Sequence, residues 1–358
     1  DRFDRAAGDV FAIQDEIAGA VVGALRLKLL DDDEARLLKR HTGDTEAYDL
    51  YLRGRYICAR RTPEAMMKAA RCFEQVLERD PGYALAYAAL SECYCLSGFL
   101  SYLAPQDSFP KAKAAARKAL DLDPTLAEAH ALLGWAGAFY DWDWLEAETR
   151  FHRAEQLSPS YALAHVWHSE LLAAMGRFEE GMAESERARQ LDPLSLIIQG
   201  WAGAMLYEAR QYERALERLL KTLEMDPDFA LANFHLGRVY SFIGRYEEAV
   251  TLLEKAVPGF PMALGCLGGA WAKLGRRDKA EEILRELERI STQRYVGPMA
   301  FAFVYIGLDD LEAALECLEK AFNAREGTVP LVNVDPAIDC LRSHPRFTAL
   351  LNRLKLPP

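Results

Sequence analysis

Three histidines are the side chains of this sequence best suited to chemistry. His165 and His168 lie three residues apart and share one face if the segment is helical, and His130 precedes His165 by 35 residues. A zinc site needs three or four such ligands converging in tetrahedral geometry. Because these positions face the core between paired helices in the repeat described below, we expect structural histidines with satisfied hydrogen bonds, and no metal site.

Other motifs for catalysis or cofactor binding are missing from the sequence. Cys93 and Cys95 are two residues apart, which places their thiols about 200° apart around a helix, too far for a shared chelate. The acidic run at residues 31–34 lacks the glycine and the ligand spacing of a calcium loop. A glycine-rich phosphate loop, a His-Glu-x-x-His helix and a nucleophile elbow are also missing. The sequence therefore predicts no enzyme activity and no cofactor.

Composition narrows the classes of partner. The net charge of −11 over 358 residues argues against sequence-independent nucleic-acid binding and against docking on an anionic membrane. No apolar run is long enough to span a bilayer. The seven cysteines are scattered and odd in number, unlike a disulfide framework, so we expect a cytoplasmic protein. The chain begins with Asp1 and no signal-peptide pattern, and we interpret it as part of a longer polypeptide.

Evenly spaced prolines indicate that the elements holding these residues form a repeat. Pro159, Pro193, Pro227 and Pro261 recur every 34 residues, and several follow an aspartate. Each such pair suits the end of one helix followed by the start of the next. Small residues recur at fixed places in each unit, where close helix crossings require them. They include Gly134, Gly203, Gly237, Ala147, Ala215 and Ala249.

This 34-residue pattern resembles the tetratricopeptide repeat (TPR) family, whose units are antiparallel pairs of helices A and B. The resemblance implies an all-α protein, a right-handed superhelical solenoid of about eight repeats with helical N- and C-terminal caps. We predict an N-terminal helical segment at residues 1–42, the array at residues 43–325 and a capping segment at residues 326–358. The insertion at residues 99–110 should be an exposed loop in repeat two.

A narrower resemblance rests on several strings. Residues 10–18 (VFAIQDEIA), 46–56 (EAYDLYLRGRY) and 140–144 (YDWDW), together with Val334-Asp335-Pro336, resemble the TolB-like region and TPR half of bacterial multidomain regulators. In that family this half follows a winged-helix, kinase or cyclase domain. The resemblance makes residues 1–42 either a cap or the end of an upstream TolB-like domain. It implies a role in bacterial signalling or transcriptional regulation.

In TPR arrays the concave groove is lined by helix A, and the matching positions here are aromatic and mildly acidic. They hold Trp135, Trp167, Glu170, Trp201, Tyr207, Glu208, Phe234, His235, Arg238 and Phe242. Aromatic and arginine side chains dominate interface energies, so we predict a scaffold that binds a protein or peptide segment with apolar anchors, either from a separate protein or from its own upstream domains. Two alternatives stay open: the rings are buried between repeats, or the array is a self-association module that forms a homodimer.

Overall fold

The computed structural model describes residues 42–258 and 260–356. The predicted N-terminal segment, residues 1–42 with the acidic run at 31–34, lies outside the described residues except for Thr42. The described part is an all-helical solenoid of eight antiparallel helix pairs, so the predicted fold class is confirmed. In this part of the chain no helix is both long and apolar enough to cross a membrane.

Helices are numbered in chain order, and each repeat pairs an A helix with a B helix. The A helices are α1 (Thr45–Cys58), α3 (Ala84–Phe99), α5 (Ala127–Ala136), α7 (Ala162–Ala174), α9 (Leu196–Glu208), α11 (Ala230–Phe242), α13 (Pro261–Lys273) and α15 (Pro298–Gly307). The B helices are α2 (Pro63–Arg79), α4 (Pro105–Leu122), α6 (Trp144–Leu157), α8 (Phe178–Leu191), α10 (Tyr212–Met225), α12 (Tyr246–Ala256), α14 (Arg277–Ser291) and α16 (Leu311–Asn323). A π-helical turn, Gly137–Asp141, follows α5.

The repeated proline marks the turn between repeats. At Pro159, Pro193 and Pro227 the preceding residue is the helix C-cap, and the next A helix begins three residues after the proline. Pro261 departs from this pattern, because it is the first residue of α13. In the four consecutive A helices α5, α7, α9 and α11, one side chain bonds to the proline carbonyl oxygen six residues earlier. His130, His165, Gln199 and Asn233 make this contact at 3.0, 3.1, 2.8 and 3.0 Å. His130 and His165 therefore have hydrogen-bond partners of the kind expected for structural histidines.

Close packing explains the small residues of each repeat. Ala147, Ala215 and Ala249 are completely buried. A Cβ atom added to Gly203 would lie 2.4 Å from the side chain of Leu219, and one added to Gly237 would lie 2.7 Å from Leu253. These separations are shorter than van der Waals contact, so the A and B helices approach this closely only without a side chain there.

The connection in repeat two is not the exposed loop that the sequence predicted. Helix α4 begins at Pro105, so part of the insertion extends the helix. Leu100, Ser101 and Tyr102 between the helices are buried, as is Phe109 within α4. The expectation of an exposed loop was wrong because it rested on the prolines alone. The apolar side chains between them are more stable when buried than when exposed in a loop.

The chain after α16 returns across the array. Residues 326–341, called the groove segment below, contain two 3-10 turns, Val329–Asn333 and Pro336–Leu341, and contact the A helices α7, α11 and α15. Helix α17 (Pro345–Leu354) then packs against α16, where a terminal cap was predicted. Its Leu354 carbonyl also accepts a hydrogen bond of 2.8 Å from Trp144 Nε1 on α6. The C-terminal region therefore joins repeat eight to the middle of the array.

Candidate protein-binding groove

The three tryptophans of the predicted groove form a continuous aromatic cluster. Trp135, Trp167 and Trp201 come from the three consecutive A helices α5, α7 and α9. The ring centroids of Trp135 lie 5.5 Å from Trp167 and 6.5 Å from Trp201. Their exposed fractions are only 1%, 2% and 8%. The cluster is therefore core in this arrangement, and a partner reaches it only after other parts of the chain move away.

Part of the surface that covers the tryptophan cluster comes from repeat two, which the sequence analysis did not assign to the groove. The ring of Phe99, at the end of α3, packs 4.9 Å from Trp135 and 5.9 Å from Trp201 between centroids. Phe99 is itself buried. The backbone of Gly327 passes so close that an added Cβ would lie 2.8 Å from Phe99 Cα. Repeat two and the groove segment thus meet above the tryptophans.

Arg238 is the centre of the polar contacts in the groove. Its Nη2 donates a hydrogen bond of 2.6 Å to Asp335 Oδ2, and Tyr207 Oη donates one of 3.2 Å to Asp335 Oδ1. The guanidinium also lies 4.6 Å from the centroid of the Tyr207 ring. Side chains of Arg238 and Asp335 are 10% and 7% exposed. A buried, charge-assisted pair of this kind fixes the register of the groove segment on α11.

Two glutamates of the predicted site are buried beside this pair. Burial raises the pKa of Glu170 well above its ordinary value, and the nearby Glu208 raises it further. Burial also raises the pKa of Glu208, although Arg238 opposes the shift. Both oxygens of Glu170 and Oε2 of Glu208 lack a hydrogen-bond partner among the described residues. The neutral acids are therefore favoured, and the groove is less acidic than the sequence suggests.

His235 lies in the same buried region without a hydrogen-bond partner for either ring nitrogen among the described residues. Burial lowers its pKa well below the ordinary value, and Arg238 lowers it further. Phe234 is buried and stacks on Phe260 at 5.5 Å between centroids. These predicted site residues therefore form the floor of the groove instead of a free surface.

Phe242 is the member of the predicted site with the most exposed side chain, at 39%. It borders an open cavity of about 260 Å³ between α11, α13, α15 and the second turn of the groove segment. Tyr207, Phe303, Ile306 and Cys340 also line this cavity. Residues 42–258 and 260–356 leave this end of the groove open.

Glu326, the first residue of the groove segment, is anchored between repeat two and repeat eight. Glu326 is 1% exposed, and its carboxylate accepts hydrogen bonds from Ser101 Oγ at 3.0 Å and from Met299 N at 3.1 Å. Burial raises the pKa of Glu326 to about 7. Farther along, Asn333 Nδ2 donates to the Ala174 carbonyl at 3.3 Å. Sequence reasoning missed Glu326 and Asn333, whereas the Val334-Asp335-Pro336 string contains Asp335, the residue that pairs with Arg238.

Comparison with known proteins supports the repeat assignment. A tetratricopeptide repeat family model matches residues 206–263, and a second one matches residues 299–328. The putative adenylate cyclase 3 of Rhizobium meliloti is 38% identical over 138 residues, which are 38% of this chain and 23% of that protein. The transcriptional regulator HilA of Salmonella typhimurium is 29% identical over 133 residues, 37% of this chain and 24% of that protein. The match spans about a quarter of each relative's length.

Solved structures resemble the chain over nearly its full length. The APC/C hetero-tetramer Cut9-Hcn1 aligns with a TM-score of 0.60 at 16% identity, covering 96% of this chain and 64% of that one. A monomeric IFIT1 mutant with Gppp-AAAA aligns with a TM-score of 0.55 at 14% identity, covering 96% and 75%. At these identities the likeness concerns the fold alone. The chain therefore contains tetratricopeptide repeats within an array of eight helix pairs, a repeat architecture that supports a protein-interaction scaffold.

Proposed function

We propose that this protein binds an extended partner segment along the inner face of its A helices, in the place that residues 326–341 occupy here. The observation that carries the proposal is the contact of Asp335 with Arg238 and Tyr207. It is a side-chain recognition contact between a non-repeat segment and a groove residue. A partner that offers a carboxylate to Arg238 would reproduce it.

The remaining contacts of the groove segment define the other features of such a partner. Its apolar side chains Val329, Val332 and Ile338 are each at most 1% exposed. They supply the apolar anchors that the sequence predicted for a ligand. The segment also carries one charge into the groove, because the negative Asp335 faces Arg238. We therefore assign the partner as an apolar segment with one acidic residue.

The biological setting is part of the proposal. The curated relatives are named a putative adenylate cyclase and a transcriptional regulator. We assign this chain the non-catalytic interaction role within a bacterial regulatory protein of that kind, binding either a separate protein or the polypeptide's own upstream domains. Self-association is the alternative. In that case residues 326–341 of one copy would fill the groove of a second copy.

The test compares a variant with a released groove segment and matched controls. Val332→Asp with Asp335→Ala removes one apolar anchor and the contact with Arg238. A fluorescently labelled peptide of residues 326–341 should bind this variant at least about tenfold more tightly than the unaltered protein, measured by anisotropy. Asp339→Ala is the control, since Asp339 pairs at the exposed rim with Arg210 and its loss should not open the groove. Adding Arg238→Gln to the released variant should abolish the gain.

Two outcomes would contradict the proposal. If the released variant unfolds, as monitored by circular dichroism, residues 326–341 are an obligatory part of the core. If it stays folded but does not bind the peptide, the groove has no exchangeable occupant. Light scattering distinguishes the alternative, because exchange of the segment between copies would produce a dimer whose amount rises with concentration.

A further inference from the structure

A cluster of imidazole and carboxylate groups joins α6, α7 and α8 outside the groove. Its members are His152, His165, His168, Glu148, Glu155 and Glu184. The sequence analysis considered His165 and His168 but not His152, because His152 lies on the B helix α6 at a position without a role in the repeat. Within the described residues, the groups that are close enough to share a metal ion are centred on His168.

His168 has one nitrogen in use and one free. Its side chain is 2% exposed, and its Nδ1 lies 2.7 Å from Glu155 Oε1. Its Nε2 is buried and has no hydrogen-bond partner among residues 42–258 and 260–356. The ring is held by stacking on Phe151, with centroids 5.4 Å apart. A metal-binding histidine typically donates its second N–H to a carboxylate, which fixes the ring and exposes the other lone pair. Glu155 stands in that place, which leaves Nε2 for the metal.

Glu148 and His152 supply two further ligands from one face of α6. They are one helical turn apart, and one ligand atom from each of Glu148, His152 and His168 lies within 4.8 Å of the others. Ligand atoms around tetrahedral zinc are about 3.4 Å apart, given metal–ligand distances near 2.1 Å. His152 is 56% exposed, so rotation of its side chain can close this difference. Arg177 holds Oε1 of Glu148 at 2.6 Å, and Oε2 is the oxygen left for a metal.

We propose that Glu148, His152 and His168 bind one divalent transition-metal ion of the zinc type, with Glu155 as the carboxylate that orients His168. Two imidazoles and one carboxylate are a ligand set that zinc accepts, with water as the fourth ligand. One ligand atom from each of Glu155, His168 and Glu184 also lies within 4.8 Å of the others. If His168 bound an ion there through Nδ1, however, it would use the nitrogen that already contacts Glu155. The bound ion would tie helix B of repeat three to helix A of repeat four.

The test is calorimetric titration of the full chain, without a histidine tag, with Zn²⁺ and with Mg²⁺ as the control ion. We expect one Zn²⁺ per chain at micromolar concentration and no binding of Mg²⁺. His152→Ala should weaken zinc binding at least tenfold, and Glu155→Gln about 10- to 100-fold. His130→Asn is the matched control and should bind zinc normally, because Asn233 makes the equivalent contact to its proline carbonyl.

Thiols are the competing ligands, since Cys340 is exposed. Zinc binding that is retained in His152→Ala and lost in Cys340→Ser would overturn the proposal, as would the absence of saturable binding to the unaltered chain. His152 is on the surface, so its substitution should leave the fold unchanged, and a circular dichroism melt checks this. A visible spectrum of the Co²⁺ form without thiolate charge-transfer bands would support the His₂Glu assignment.

Discussion

Replacing Glu326 with glutamine should remove a measurable part of the protein's sensitivity to pH. The buried carboxyl accepts hydrogen bonds from Ser101 and Met299, and neither partner carries a positive charge. Burial therefore raises its pKa from 4.5 to about 7. The amide of Glu326→Gln has the same shape. Its oxygen can accept from Met299 N, and its NH₂ group can donate to Ser101 Oγ, without any ionisation.

The expected magnitude follows from proton linkage. Because the folded state holds this proton more tightly than the unfolded chain, Glu326 makes the free energy of unfolding fall as pH rises from 4.5 to about 7. Each pKa unit corresponds to about 1.4 kcal/mol, so the full loss is about 3 kcal/mol above pH 7. The stability that the neutral acid provides is complete below pH 4.5. Glu326→Gln should therefore match the unaltered protein near pH 4.5 and exceed it by about 3 kcal/mol at pH 8.

Urea unfolding followed by tryptophan fluorescence at several pH values measures this difference. The tryptophan cluster lies under the groove segment, so its emission reports loss of this region. Glu179→Gln, at an exposed position of α8, is the control and should reproduce the pH dependence of the unaltered protein. If Glu326→Gln showed the same slope between pH 4.5 and pH 8 as the unaltered protein, the raised pKa and the buried placement of Glu326 would both be refuted.

Three other substitutions or deletions test the packing. Ala215→Leu should lower stability by about 1–3 kcal/mol, whereas Ala183→Leu at an exposed site should not; equal melting temperatures would mean that the repeat register is wrong. Trp135→Ala should cost about 3–5 kcal/mol in chemical unfolding, and more than Phe242→Ala at the open end of the groove; the reverse order would contradict the observed burial. Deletion of residues 326–358 should lower solubility and the melting temperature, and an equally stable monomer would show that this region is a dispensable tail.

The repeat array could be predicted from the sequence because its determinants are local. A proline after a polar residue marks most turns between repeats, and a glycine such as Gly176 or Gly244 ends the A helix with a positive φ of 77° or 82°. Small residues repeat at the helix crossings, so each unit carries its own evidence. The groove positions could be located for the same reason, since the face of an A helix is fixed by its register.

The cover of the groove could not be predicted, because it depends on contacts between distant parts of the chain. Ser101 and Glu326 are separated by 225 positions, and they meet only because the array curves enough to bring repeat two near repeat eight. That curvature is the sum of small rotations between neighbouring repeats, which sequence patterns do not give. A face of aromatic residues therefore indicated a groove, but not whether the chain's own residues fill it.

Some buried polar atoms of the filled groove lack hydrogen-bond partners among the described residues, and this affects whether residues 326–341 can be exchanged for a partner. Both oxygens of Glu170 and both ring nitrogens of His235 are buried without partners among the described residues. A buried polar group left without a hydrogen bond costs about 1–3 kcal/mol, so the present occupant leaves several kcal/mol unrecovered. A partner segment that kept an acidic residue on Arg238 and also placed an amide or hydroxyl donor against Glu170 would recover part of it. Such a segment would bind the groove more tightly than residues 326–341 because of this added hydrogen bond, even with the same apolar contacts.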